Sequence, residues 1–191
     1  MSLACKLVTL CRRSDLPALL LALAGLLLLA GQTEHPQPEF DSHEYLTIAY
    51  HLVDSDRYAF SEPGGVATPT AIREPGYVLF LAGMMLVDPG FGSFTLDCLT
   101  ASSPCATDIY ASLRWANSLF IALSGLLLFQ LVDRAGLGRG TAHAVLVMTL
   151  LNFAAASSRH YLVSDYLAMA LLSAMLLAFL LARQQASIAW A

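Results

Sequence analysis

Asp41–Leu81 reads DSHEYLTIAYHLVDSDRYAFSEPGGVATPTAIREPGYVLFL, a long polar interval in a chain that is otherwise apolar. Eleven of the fourteen acids fall between Glu34 and Asp108, so one large segment faces water while the rest does not. The 191 residues are 57% hydrophobic and 13% charged, with a mean hydropathy of +0.64. That balance points to a polytopic membrane protein, since a soluble domain of this size would need more polar surface. A net charge of −4 gives no reason to expect nucleic acid as a partner.

Within the interval, Asp41 and Glu44 have capping-box spacing. Tyr45, Ile48, Ala49 and Leu52 then recur at helical spacing, which predicts an amphipathic helix over 41–54. Its other face carries His43, Thr47, Tyr50 and His51, too polar to cross a bilayer and suited to a membrane surface. Residues 54–73 read as loop, broken by Pro63-Gly64-Gly65 and Pro69. A second short helix is expected over 76–87, stopped by Asp88-Pro89-Gly90. Its apolar run, Tyr77 to Val87, is about 16 Å long as a helix, too short to span.

Outward from this interval the chain is helical and greasy. Lys6, Arg12 and Arg13 precede the apolar run 16–31, which reads as the first transmembrane helix after a cytoplasmic N-terminus at 1–15. The run is about 24 Å long, slightly short for a bilayer. Further spans are expected at 109–132, 141–156 and 161–182, joined by a basic cytoplasmic loop at 133–140 and an outer turn at 157–160. Residues 183–191 form a tail or linker. The fold class is therefore an all-α integral membrane protein of about four transmembrane helices. Its extracytoplasmic loop, 32–108, carries the interfacial helices. With the short helix at the interface, Arg134, Arg139 and Arg183 share the cytoplasmic side with the N-terminal cations. Cys98 and Cys105 flank LTASSP. On the outer side they either close a small disulfide loop or remain two thiols.

In this order and spacing, the residues resemble the N-terminal portion of a GT-C membrane glycosyltransferase. The similar group is the dolichyl- or polyprenyl-phosphate-mannose protein mannosyltransferases and their bacterial relatives. The features are Asp41-Ser-His-Glu44-Tyr45-Leu-Thr-Ile-Ala49 soon after the first span, then Tyr58-Ala-Phe60-Ser, then Arg73-Glu-Pro75-Gly76-Tyr77-Val-Leu-Phe80. The last is Ser164-Asp165, opening a later span. Val78 departs from the pattern, which has proline there. Relatives are longer, with many more spans and often a C-terminal domain, so a missing C-terminal part or a partner subunit is implied.

The resemblance implies transfer of a hexose or pentose from a polyprenyl-phosphate donor to a lipid, glycan or protein hydroxyl, with inversion, at the outer face of the cell membrane. Asp41 maps onto the catalytic base and Asp165 onto a supporting acid. Arg73 becomes the phosphate or positioning cation, with Glu44, Tyr77, Arg114, Arg159 and His160 as substrate-binding candidates. Each has a plainer reading. Asp41 with Glu44 also makes an ordinary helix cap. Ser164-Asp165 does the same, Arg73 also suits a loop arginine paired with Glu74 or a lipid headgroup, and Arg114 at the top of a span also suits snorkelling. No cofactor is assigned. A divalent metal near Asp41, His43, Glu44 and His51 is possible, though no ligand spacing demands it. The alternative from another class is a non-catalytic remnant or assembly subunit that keeps the scaffold.

Overall fold

The computed structural model describes residues 15–31, 40–62, 64–99, 110–156 and 164–189. Residues 40, 153–156 and 185–189 are described by backbone alone. The elements in order are α1 (Leu16–Ala30), α2 (Phe40–Ser55), β1 (Ala59–Phe60), β2 (Thr68–Pro69), α3 (Pro75–Val87), α4 (Pro89–Gly92), a 3-10 turn (Leu96–Leu99), α5 (Ala111–Arg134), α6 (Arg139–Ala156) and α7 (Asp165–Ala189). The described chain is mostly helical. Its one departure from an all-α reading is the small antiparallel ribbon of β1 and β2, inside the interval expected to be loop.

Among the described residues, two helices are by length and composition able to cross a membrane: α5, and α7 over Asp165–Gln184. At about 1.5 Å per residue, α1 with 15 residues and α3 with 13 are shorter than a bilayer core. The expected boundaries of α1, α2, α3, α5 and α6 agree with the structure within two residues. Helix α7 does not stop at Ala182. It runs through Arg183, Gln184 and Gln185 to Ala189, because these are good helix formers and no glycine or proline interrupts them.

The chain divides into two compact units. The first holds α1, most of α5, α6 and nearly all of α7. Its core includes Ala18, Leu29, Ile121, Phe129, Ala142, Leu146 and Leu150, with Tyr166. Small residues set its close approaches. A Cβ at Gly25 would lie 2.7 Å from Leu150, and one at Gly125 would lie 2.8 Å from Leu146. One end is tied by charge: Arg139 meets Asp15 at 3.5 Å and Asp133 at 3.7 Å, and Gln130 donates to Asp15 at 3.4 Å. Leu171, Leu172, Met175, Leu176 and Phe179 of α7 remain exposed, an apolar surface of the kind that lipid tails cover.

The second unit holds α2, the ribbon, α3, α4, the 3-10 turn, the start of α5 and Ser164-Asp165. Helix α2 is its centre. Besides the expected Tyr45, Ile48 and Ala49, it buries Leu46 and the polar Ser42, Thr47 and His51. Two residues of its expected polar face, Thr47 and His51, are therefore part of the core, while His43 and Tyr50 are half-buried. His51 Nε2 shares a buried hydrogen bond of 2.8 Å with Ser61 Oγ, which pins the segment after β1 to α2. The chain leaves α2 through Asp56 at φ 55°, a left-handed position that aspartate tolerates. In the ribbon, Ala59 faces Pro69 and Phe60 faces Thr68, and Thr70 N–H donates to the Tyr58 carbonyl at 3.2 Å.

Helix α3 begins where a proline can begin one. Glu74 is extended (φ −65°, ψ 136°), as a residue before proline must be, and Pro75 fills the first turn. The helix buries Tyr77, Val78, Leu81, Ala82 and Met85. Asp88 then ends it and caps α4 by accepting from Gly90 N–H at 2.9 Å. Cys98, in the 3-10 turn, is disulfide-bonded. Cys105, its expected partner, lies outside the described residues.

Gly92 closes α4 against backbone: a Cβ there would sit 2.7 Å from the Met85 carbonyl oxygen. Gly83, inside α3, has nothing within 4 Å. Gly92→Ala is therefore expected to destabilise the protein by about 1–3 kcal/mol. Gly83→Ala is expected to be neutral or stabilising by up to about 1 kcal/mol. Thermal unfolding of the two variants in one detergent checks both, and equal melting temperatures would overturn the packing argument.

Candidate functional site

The site is built where the first turn of α2 meets the turn that opens α3. Asp41 and Glu44 stand three residues apart on a helix and so share one face. That spacing suits a capping box, and here it does something else. Helix α2 already begins at Phe40, which places Asp41 inside the first turn, and both carboxylates meet one guanidinium. Arg73 Nε donates to Glu44 Oε2 at 2.5 Å, and an Nη2 hydrogen donates to Asp41 Oδ1. Tyr58 Oη donates to the Arg73 backbone carbonyl at 2.7 Å, which fixes the chain that carries the guanidinium.

Exposure differs across the cluster. The Asp41 side chain is 72% exposed, whereas those of Arg73 and Glu44 are 22% and 30% exposed. Asp41 is thus the group an incoming molecule can reach. A guanidinium carries five N–H donors, and Asp41 and Glu44 take two of them. Burial pulls the Arg73 proton affinity down, but hydrogen bonds and charge from Glu44 and Asp41 outweigh it. The net shift is upward, so Arg73 is a fixed cation. A shallow open groove of about 450 Å³ lies alongside, lined by Tyr58, Thr70, Ala71, Ile72, Arg73, Glu74 and Pro75.

Tyr45 lies beneath this cluster. The Arg73 Cζ is 5.2 Å from its ring centroid, within reach of a cation–π contact. The ring meets Tyr77 edge-on at 5.1 Å and 89°. Its hydroxyl donates to Glu74 Oε2 at 2.6 Å and lies 3.4 Å from Ser164 Oγ. Burial, followed by the Glu74 carboxylate, raises the phenol above its ordinary range. Glu74 is held below the usual carboxylate range, first by the Tyr45 hydroxyl.

The remaining expected site residues fall in different places. Tyr77 is buried, 3% exposed, between Tyr45 and Phe80, with which it stacks at 5.8 Å. It is a core ring beneath the site, not part of its open surface. Asp165 opens α7 and is exposed, and the contact with Tyr45 is made by its neighbour Ser164. Arg114 lies in α5, and its Nε is buried without a hydrogen-bond partner among the described residues. Arg159 and His160 lie outside the described residues. Among the described residues, no group of three or more His, Cys, Asp or Glu is arranged to hold a metal ion.

Sequence reading missed Tyr45 and Glu74. Tyr45 reads as interfacial packing, yet it stands four residues after Asp41 on the same helical face, which was the available signal. Glu74 reads as a partner for its neighbour Arg73, but Arg73 takes Asp41 and Glu44 and Glu74 takes the Tyr45 hydroxyl. Comparison with protein-family models, with curated proteins and with solved structures returns no match.

Because Glu74 is held below its ordinary value near 4.5, the stability it contributes is present above that pH. It is lost as pH falls through the lower folded-state value. The melting temperature of Glu74→Gln should therefore lie below that of the wild type at pH 7. The two should converge as pH drops well below 4.5. A gap that stays constant or widens on acidification would contradict the assigned Tyr45–Glu74 bond.

Proposed function

We propose that the chain is a membrane glycosyltransferase component that uses a polyprenyl-phosphate-linked sugar, with its reacting groups on the extracytoplasmic face. The observation that carries this reading is the convergence of Asp41 and Glu44 on Arg73. An exposed carboxylate and a fixed cation sit side by side beside an open groove. Inverting transfer from a lipid phosphate asks for that pairing.

In the proposed reaction the acceptor hydroxyl oxygen attacks the anomeric carbon, and Asp41 takes the hydroxyl proton. The bond from the anomeric carbon to the phosphate oxygen breaks, and the polyprenyl phosphate leaves with the electron pair. Arg73 offers its remaining N–H donors to the phosphate oxygens as their charge grows. The Arg73 bond to Oδ1 fixes the orientation of Asp41, and its other oxygen has no partner among the described residues. Arg114, Arg159 and His160 remain candidates for the donor side and Asp165 for the acceptor side.

Four spans complete the proposal: α1, α5, α6 and α7, with α1 accommodated by a locally thinned bilayer. The bonded state of Cys98 supports an oxidising compartment for the second unit. The basic residues Arg134, Arg139 and Arg183 then fall on the cytoplasmic side.

A second reading is an assembly subunit without chemistry. It is favoured by the satisfaction of Arg73: with Asp41, Glu44 and Tyr58 engaged, the cluster also works as a clasp between α2 and α3. Substitution separates the two. The Asp41→Asn amide oxygen still accepts from Arg73, and an exposed ion pair contributes only about 0–1 kcal/mol. The fold should therefore persist while transfer falls by about 100-fold or more. The assay follows radiolabelled sugar from a panel of polyprenyl-phosphate hexoses and pentoses into native membrane acceptors. Retained turnover in Asp41→Asn would refute the base assignment. Donor affinity that is indifferent to Arg73→Gln would favour the subunit reading.

A further inference from the structure

We infer that Tyr45 is a positioning residue whose hydroxyl keeps Glu74 off Arg73, so that the free donors of Arg73 stay available to an anionic ligand. Glu74 is adjacent to Arg73 in sequence and exposed, and it carries the charge most able to compete for the guanidinium. Yet Arg73 takes its carboxylates from α2, Asp41 and Glu44, while Glu74 takes the phenol at 2.6 Å. One side chain accounts for both choices. The Tyr45 ring lies against the guanidinium at 5.2 Å, and its edge-on contact with Tyr77 holds it in place. The oxygen at the far end of that ring is the point where Glu74 is held.

The geometry also explains why a tyrosine is needed. The aromatic face alone would serve Arg73 as well with phenylalanine, because the cation–π attraction belongs to the ring. The hydroxyl adds a neutral donor to a carboxylate, a bond that a charged competitor has to be pulled from. Ser164 Oγ at 3.4 Å adds a polar neighbour from the entry to α7. The start of that helix therefore bears on where Glu74 goes. The placement of Glu74 stands on these distances. Its meaning for ligand binding rests on the proposed role of Arg73 as a phosphate cation.

Two measurements test the inference, the first without ligand. Thermal unfolding of Arg73→Gln, Glu74→Gln and their double variant gives the coupling between the two residues. The set is run once with Tyr45 present and once in Tyr45→Phe. Coupling should be small with the phenol and clearly larger without it, because the freed carboxylate turns to the guanidinium. Equal coupling in both backgrounds overturns the inference, whatever the chain does to sugars. Where Tyr45→Phe does not fold, Glu74→Asp replaces it. That change withdraws the exposed carboxylate from the phenol without touching the core ring, and it should raise the Arg73 coupling in the same way.

The second measurement uses undecaprenyl monophosphate and the purified chain in lipid nanodiscs. Tyr45→Phe should bind it about tenfold more weakly, the equivalent of roughly 1.4 kcal/mol. Adding Glu74→Gln to Tyr45→Phe should restore the affinity. Failure of that restoration, when the wild type binds, overturns the inference, because a merely structural role for Tyr45 would leave the double variant as weak as the single. A wild type that does not bind refutes the donor reading instead, and the coupling measurement then decides the inference alone.

Discussion

Arg73 reaching back to Asp41 and Glu44 is the constraint on which the second unit depends. Two residues one helical turn apart on α2 hold a side chain that arrives after the ribbon and its turn. Pro75 then commits the next residues to a helix, so the ion pairs hold the first turn of α2 against the turn that opens α3. The pairs are partly exposed, and exposed pairs contribute little energy on their own. Their effect is geometric. The tyrosines beneath provide the burial, and the charges choose the register in which that burial happens. The clasp and the proposed reacting groups are therefore the same atoms.

The first unit depends on something different. Its helices approach through glycine, at Gly25 against Leu150 and Gly125 against Leu146, where no side chain could be inserted without movement. Under the proposed membrane setting the surrounding tails are as apolar as leucine, and close contact and polar pairing would do the sorting. Arg139 between Asp15 and Asp133 provides such a pairing at one end.

Much of this architecture was legible in the sequence. The two long helices, the short α3 and the amphipathic α2 follow from apolar runs, their lengths and the breakers between them. Helix α2 was nonetheless read as half open, and it is buried on more than its apolar face. Thr47 and His51 look solvent-facing in a helical projection. A projection cannot show that β1 packs on that face, or that Ser61 meets the imidazole there. The ribbon was missed because two-residue strands leave no alternation to detect, and Pro69 argues against a strand. At the site, the same-face spacing of Asp41 and Glu44 was visible, but their shared partner lies about thirty residues away. Tyr45 does pack, as its apolar position indicates, but its hydroxyl partner Glu74 is distant in sequence and leaves no mark on the helical pattern.

The ribbon beside Arg73 bears on how an acceptor would be held under the proposed function. Thr70 N–H bonds to the Tyr58 carbonyl, so Ala59 and Pro69 form a non-hydrogen-bonded pair, and the Pro69 nitrogen faces away from β1. That nitrogen has no hydrogen to offer. A polypeptide laid along this margin in extended form would meet a gap where the sheet should donate, and strand addition fails at that point. A protein acceptor at this face would therefore have to be recognised through its side chains, or as a turn presenting its hydroxyl, and not as an added strand.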